Sequence, residues 1–270
     1  MKHLGGKVAV VTGAASGIGR SLSAQLVAEG MSVILSDWNA EELENVRAAL
    51  AASGGDVMAC DTDVSNAASM QALADAAYAW RPQIDLLCNN AGVLGPQGEM
   101  LWTVDDADWD RVFAVNFRGP LNGIRAFLPR MMAADHEAHI VTTASMGSFS
   151  ATPILPCYIT SKHALLSLCE TLRLQLKEAG SKVKTSVLCP GYTKTGLVAV
   201  GRGIGDEEAA DDAFDEILAR SAVPQVAMNP DDTAKIVVAA VKRGDFWIFP
   251  NAGSRDRIAS RIDEILTTAP

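Results

Sequence analysis

The sequence has no apolar run near the roughly 18 residues needed to cross a bilayer, so no membrane span is expected. It also lacks the long apolar core and cleavage site of a signal peptide: Val8 to Val11 is short and runs straight into a glycine loop. Cysteine is scarce. Cys60, Cys88, Cys157, Cys169 and Cys189 are odd in number and widely spaced, with no C-x-x-C, so neither a disulfide framework nor a zinc site is expected. Reduced thiols of this kind fit the cytoplasm. Basic charge is in deficit, with 23 Lys and Arg against 32 Asp and Glu and a net charge of -9. Nucleic acid and anionic membrane surfaces call for the opposite balance, so neither is an expected partner. There is no Walker loop and no G-x-S-x-G elbow. His136 and His139 are three apart without a completing ligand set, which reads as a solvated turn before a strand. His163 reads as packing or solvent-facing, and Asp206 to Glu216 as a solvated acidic helix; no metal is expected.

What is present is a regular alternation. The 270 residues are 49% hydrophobic and 20% charged, enough for one soluble α/β domain spanning 1–270. Strands are expected at Lys7–Thr12, Ser32–Ser36, Val57–Cys60, Ile84–Cys88, His139–Ala144, Lys182–Leu188 and Phe246–Phe249. Helices are expected at Ile18–Glu29, Ala40–Ala52, Asn66–Trp80, Asp105–Met132 with a break near Gly119-Pro120, Tyr158–Lys177, Pro230–Val241 and Asp256–Leu266. Such alternation builds a parallel sheet covered on both faces. Residues 191–228 are too long for an ordinary connection and are read as a substrate-covering segment.

Thr12-Gly13-Ala14-Ala15-Ser16-Gly17-Ile18-Gly19 joins the first strand to the first helix. Gly13 permits a tight turn, while Gly17 and Gly19 let backbone and helix N-terminus approach a diphosphate. Asp37 follows the second strand, about 20 residues past the glycine loop, where a carboxylate can bind a ribose diol. It also rejects a 2′-phosphate, since like charges ~4 Å apart at an effective dielectric near 20 repel by about 4 kcal/mol. No Lys or Arg follows Asp37 closely and Ser16 is neutral, so NAD is expected over NADP. Asp63-Val64 and Asn89-Asn90-Ala91-Gly92 follow the third and fourth strands, on the edge where such sheets bind ligands.

Tyr158 and Lys162 are four apart, which on a helix places them on one face. An ammonium beside a phenol favours the phenolate, so Tyr158 is expected to titrate well below the ordinary value of about 10 and to move protons near neutrality. Ser145 lies at the same sheet edge, where a hydroxyl can hold a substrate oxygen.

Thr12-Gly13-x-x-x-Gly17-Ile18-Gly19, Asn89-Asn90-Ala91-Gly92, Asn116, Ser145, Tyr158-x-x-x-Lys162 and Pro190-Gly191, in this order, resemble the compact branch of the short-chain dehydrogenase/reductase family. The resemblance covers nearly the whole chain. It implies a Rossmann-type doubly wound sheet of about seven strands and an alcohol–carbonyl oxidoreductase. Tyr158 is then the general acid/base, and Lys162 lowers its pKa and binds the nicotinamide ribose. Ser145 orients the substrate oxygen, and Asn116 supports a relay water. Pro190, Gly191, Thr193 and Thr195 meet the carboxamide or diphosphate region. Pro120, which lacks an N–H, is expected to free the carbonyl of Asn116 for that water.

The pocket is expected from Ser145–Pro156, Leu94–Trp102 and the segment after Gly191, with Leu94, Met146, Ile154, Leu155, Tyr192, Leu197 and Val198 giving it an apolar lining. A small secondary alcohol or ketone with an apolar body is the expected substrate; Lys194 and Arg202 would suit an anionic one. A mobile lid is expected within Gly201–Val223. Homodimers or tetramers are expected through Phe117, Leu121, Leu165, Leu168, Cys169 and Leu172 on the two long helices. A lyase or isomerase on the same fold, or a cofactor-sensing binding protein, are the other readings.

Overall fold

The computed structural model describes residues 1–195, 197 and 227–267. Seven parallel strands form one sheet: β1 Val8–Thr12, β2 Ser32–Asp37, β3 Val57–Asp61, β4 Leu86–Asn89, β5 Ala138–Thr143, β6 Val183–Leu188 and β7 Trp247–Ile248. Their order is β3-β2-β1-β4-β5-β6-β7, so the chain winds outward one way from β1 and then the other way from β4. The crevice at that reversal, outside the carboxyl ends of the strands, is where a sheet of this kind binds ligands. The central strand β1 is buried at all five positions. Ala9 and Val11 pack into one core layer and Val8 and Val10 into the other, the period-2 alternation of a strand covered on both sides.

Helices α1 Gly17–Ala28, α2 Ala40–Ala52 and α7 Pro230–Arg243 cover one face; α3 Ala67–Trp80, α5 Gly119–Ala133 and α6 Pro156–Glu178 cover the other. Asn39 and Asn66 cap α2 and α3 by accepting backbone N–H groups of Glu42 and of Ala68 and Ser69, and Gly244 ends α7 in the left-handed conformation that Asn or Gly best supplies. Helix α8, Ser254–Thr267, follows the outermost strand.

The break expected near Gly119-Pro120 takes a specific form. Helix α4 (Asp106–Phe113) runs into a π turn at Ala114–Arg118, and the N–H of Gly119 reaches back to the carbonyl of Ala114. Proline cannot donate to the residue four before it, and the extra residue in the turn absorbs that misfit; π bulges of this kind gather at functional sites. Here the bulge contains Asn116.

Three other expectations need correction. His139 is not in a solvated turn: it sits in β5, fully buried, with Nε2 2.6 Å from Ser186 Oγ. His136 is half-buried, 3.5 Å from the buried carboxylate of Asp85. Leu165, Cys169 and Leu172 are buried within the subunit and cannot form a partner surface, whereas Phe117, Leu121 and Leu168 remain half-buried. Val198, Arg202, the acidic stretch Asp206–Glu216 and the lid expected within Gly201–Val223 lie outside the described residues. Among the described residues, no helix is long and apolar enough to cross a membrane, and no cluster of three His, Cys, Asp or Glu could hold a metal.

Candidate active site

A cavity of about 2090 Å³ follows the carboxyl edge of the sheet from the β3 end to the residues after β7. Strand order sets its layout. Asp37 and Asp63 stand at one end, the glycine loop and Asn90-Ala91-Gly92 come next, then Ser145, Tyr158 and Lys162, and the residues after β6 and β7 close the other end.

The glycine loop is packed too tightly for side chains at its first and last glycines. Gly13 has φ +68°, and a Cβ there would lie 2.8 Å from the Cα of Ala91. A Cβ at Gly19 would overlap the carbonyl oxygen of Gly13. Ser16 precedes α1 in extended conformation and its side chain makes no capping bond, so the hydroxyl is available at the helix N-terminus. Gly17 and Ile18 line the cavity beside it, with Thr195 against Gly17. Asp37 is buried and holds the loop from the side, its two oxygens accepting the N–H groups of Ala15 (3.0 Å) and Asn39 (3.1 Å). Each oxygen keeps a lone pair for a diol.

The expected contact points on β3 and β4 converge here. Asp63 and Val64 line the cavity, and Asn122 on α5 clamps their turn by donating to the Val64 carbonyl at 3.0 Å. Asn90 ties three strands together: its side chain donates to the Thr12 carbonyl (3.1 Å) and accepts from Thr143 Oγ1 (3.1 Å), while its N–H donates to Thr12 Oγ1 (3.0 Å). Ala91 N–H shares that hydroxyl at 3.2 Å, and Gly92 lies beside Lys162. After β6, Met146 N–H donates to Pro190, and Asn251 grips the turn by accepting from Gly191 N–H (2.8 Å) and donating to the Tyr192 carbonyl (3.0 Å). Thr193 is buried with no partner for its hydroxyl, an unmet polar group that a bound carboxamide or phosphate would satisfy.

Tyr158 and Lys162 lie one turn apart on α6, with Lys162 Nζ 5.6 Å from the Tyr158 ring centroid. Lys162 is buried and donates to the Thr143 carbonyl at 2.9 Å; burial pulls its pKa down to about 8, against smaller upward effects from Cys169 and Cys189. A pKa near 8 still leaves the group mostly charged at pH 7. The expected lowering of Tyr158 is not borne out as a net effect. Burial of the phenol pushes its pKa up and outweighs the hydrogen bond from Ser145, which pulls it down. Helical spacing brings the ammonium close, but its donated bond points it at Thr143. Ser145 is itself fixed by the Gly147 N–H at 2.9 Å.

Asn116, expected to support a relay water through its main-chain carbonyl, commits its side chain to protein groups. The side chain is fully buried, accepts Val93 N–H (2.8 Å) and donates to Val93 O (2.9 Å) and Ser161 Oγ (3.0 Å). Ser161 Oγ donates in turn to the Tyr158 carbonyl at 2.7 Å. Asn116 therefore pins the strand end after β4 to the turn of α6 that carries Tyr158. Thr143, Ser161, Asn122 and Asn251 carried no signal as site residues, because each acts through a contact with a distant part of the chain; Thr12 was visible only as the first residue of the glycine loop.

The apolar end holds Leu94, Ile154, Leu155, Tyr192 and Leu197, with Met146 alongside. The expected span Leu94–Trp102 contributes Leu94 alone among its residues; Met100, Leu101 and Trp102 are exposed to solvent. Two contributors carried no sequence signal. Trp38, 71% exposed, lines the cavity beside Asp37, and α8 brings Arg257 and Arg261 to the opposite end. A dinucleotide fits this chain: the glycine cradle, the Asp37 lone pairs and the unpartnered Thr193 hydroxyl are spaced along one cavity that also holds Tyr158 and Lys162.

Comparison with known proteins agrees with this geometry. A family profile described as short chain dehydrogenase matches residues 7–202. A protein named 1-deoxy-11-beta-hydroxypentalenate dehydrogenase from Streptomyces avermitilis is 37% identical over 263 residues, covering 97% of this chain and 91% of that one. One of the same name from Streptomyces exfoliatus is 36% identical over 266 residues, covering 97% and 90%. A crystal structure of a short-chain dehydrogenase/reductase from Burkholderia phymatum, in complex with NAD, superposes with a TM-score of 0.89 at 34% identity, covering 100% of this chain and 98% of that one.

Proposed function

The chain belongs to the short-chain dehydrogenase/reductase family and is an oxidoreductase that interconverts a secondary alcohol and a ketone; we propose that it uses NAD and acts on a small molecule with a largely apolar body. The observation that carries this reading is the convergence of Ser145, Tyr158 and Lys162 on one cavity whose far end presents the Asp37 carboxylate. Gly13, Ser16, Gly17, Ile18, Gly19, Asp37, Asp63, Val64, Asn90, Ala91, Gly92, Pro190, Gly191, Thr193 and Thr195 would hold the dinucleotide. Bound there, it supplies the hydride acceptor or donor.

The protein supplies position and the proton. Ser145 Oγ holds the substrate oxygen, and Tyr158 Oη gives or takes the proton on that oxygen. Lys162 keeps a positive charge beside the phenol and offers its remaining N–H groups to ribose hydroxyls. Asn116 fixes the turn of α6 bearing Tyr158, leaving its main-chain carbonyl as the group for a relay water. Ser145, Met146, Leu155 and Tyr192 border the substrate.

The preference for NAD rests on Asp37, with no cation following it closely in sequence to neutralise a 2′-phosphate. Residues 1–270 are read as one catalytic domain, with 191–228 covering the substrate end. The two ends of that segment meet: Lys194 N–H donates to Met228 O (2.9 Å), Met228 N–H donates to Tyr192 O (3.0 Å), and Ala227 packs near Leu197. Five free cysteines, four of them buried, fit the cytoplasm.

An NAD-linked screen of secondary alcohols with cyclic, aromatic and open-chain apolar bodies tests the reading, with NADH formation as the signal. Tyr158→Phe should lower kcat by at least about 100-fold, the scale of general acid–base catalysis, while NAD binding measured by calorimetry stays close to wild type. Turnover that survives this replacement would remove Tyr158 from its role.

A further inference from the structure

Helix α8 leaves the outermost strand of the sheet and turns back over the cavity. Its base is rigid: Ser254 is buried and donates to the Asn251 carbonyl at 2.8 Å, and Ile258 packs against the core beside Met146. This fixes Arg257, whose Nη2 donates to Ser150 Oγ at 3.1 Å. Ser150 lies on the loop between Ser145 and Tyr158, so the guanidinium is docked on the substrate side, at the opposite end of the strand order from Asp37. Arg261 is one turn later, on the same helix face, and also lines the cavity. Both arginines are half-buried.

Among the described residues, no carboxylate lies within 4 Å of either guanidinium, although Asp256 and Glu264 stand on the same helix and border the same cavity. Arg257 spends one donor on Ser150, and Arg261 has no hydrogen-bond partner among them. The chain carries nine more acidic than basic groups, so two guanidinia at the cavity wall with no carboxylate partner among the described residues run against the overall balance. A guanidinium matches the planar fork of a carboxylate, and partial removal from water strengthens such a pair.

We propose that the substrate carries a carboxylate, held by Arg257 and Arg261, with its alcohol carbon at Tyr158 and its apolar body against Leu94, Leu155 and Tyr192. The inference rests on the oxidoreductase reading above and assigns the two arginines as specificity-determining residues. Of the two anion contacts expected from the sequence, Lys194 does not line the cavity, and Arg202 lies outside the described residues.

The test is a panel of alicyclic and aromatic secondary alcohols, each assayed with NAD both as the free carboxylate and as its methyl ester. The wild type should prefer the acid by roughly 10- to 100-fold in kcat/KM, as expected of charge-assisted bonds in a partly buried site. Arg257→Gln and Arg261→Gln should each bring that ratio toward one, mainly by raising KM for the acid, and Arg257→Lys should keep a preference. NAD affinity, measured separately by calorimetry, distinguishes loss of a substrate contact from loss of a diphosphate contact. Neutral alcohols turned over as well as their acids, or an acid preference that persists in both glutamine variants, would overturn the inference. No NADH from any member of the panel would overturn the oxidoreductase reading beneath it.

Discussion

Asp37 shows how much one carboxylate can decide. Its oxygens are already engaged by the N–H groups of Ala15 and Asn39, so the charge cannot swing away from an incoming 2′-phosphate. NAD should therefore exceed NADP in kcat/KM by about 100-fold or more, a conservative conversion of the repulsion between close like charges at an effective dielectric near 20. Asp37→Asn keeps an acceptor for the loop while removing the charge, and the ratio should fall. Steady-state kinetics with both cofactors measure it; equal efficiency in the wild type would count against the assignment. Tyr158 and Lys162 make a complementary point. Four-residue spacing brings the two side chains together, but the direction of the phenol's shift is decided by burial, and the ammonium is directed by the Thr143 carbonyl.

At the scale of elements, strand β5 carries a histidine whose position has a cost in acid. Ser186 donates its hydroxyl proton to the Asp245 carbonyl, so His139 Nε2 must be the donor to Ser186 Oγ. The neutral ring then has a bare, buried Nδ1 without a partner. Burial first, then the N-terminal ammonium and Lys184, pull the His139 pKa from 6.5 to about 3. The unfolded chain takes up a proton near 6.5 that the native state refuses. Stability from this group is complete above that pH and declines as pH falls toward 3, by about 1.4 kcal/mol per pH unit for one proton. Urea midpoints should drop between pH 7 and pH 5, and more shallowly in His139→Gln than in the wild type. Parallel profiles would exclude His139 as the source. The π turn at Ala114–Arg118 is the other element with a purpose: by admitting one extra residue before Pro120 it aims Asn116 at Val93 and Ser161.

For the whole molecule, the burial pattern narrows the surface available for self-association. Leu165, Cys169 and Leu172 are consumed by the chain's own core. What α4, the π turn and α6 leave at the surface is an aromatic ladder, Trp109, Phe113 and Phe117 with centroids 6.1 and 6.4 Å apart, together with Leu174 at 66% exposure. We expect a dimer or tetramer using these residues. Light scattering at micromolar concentration should return a multiple of 28.5 kDa, and Phe117→Glu should reduce it toward one subunit. A wild-type mass of one subunit would refute the expectation.

Much of this protein is written locally. Strand and helix periodicities, the glycine loop, Asp37 at a strand end and the Tyr158–Lys162 spacing depend on residues a few positions apart, and short-range sterics and patterning determine them from the sequence alone. Only the tertiary structure decided the rest. That Asn116 is spent on Val93 and Ser161, that Asn122 and Asn251 clamp turns far from them in sequence, that His139 is buried, and that Arg257 and Arg261 on the last helix face the cavity all follow from strand order and helix packing. The reason is physical: a side chain's charge state and partners depend on what lies against it, and a parallel sheet brings together segments that the sequence separates.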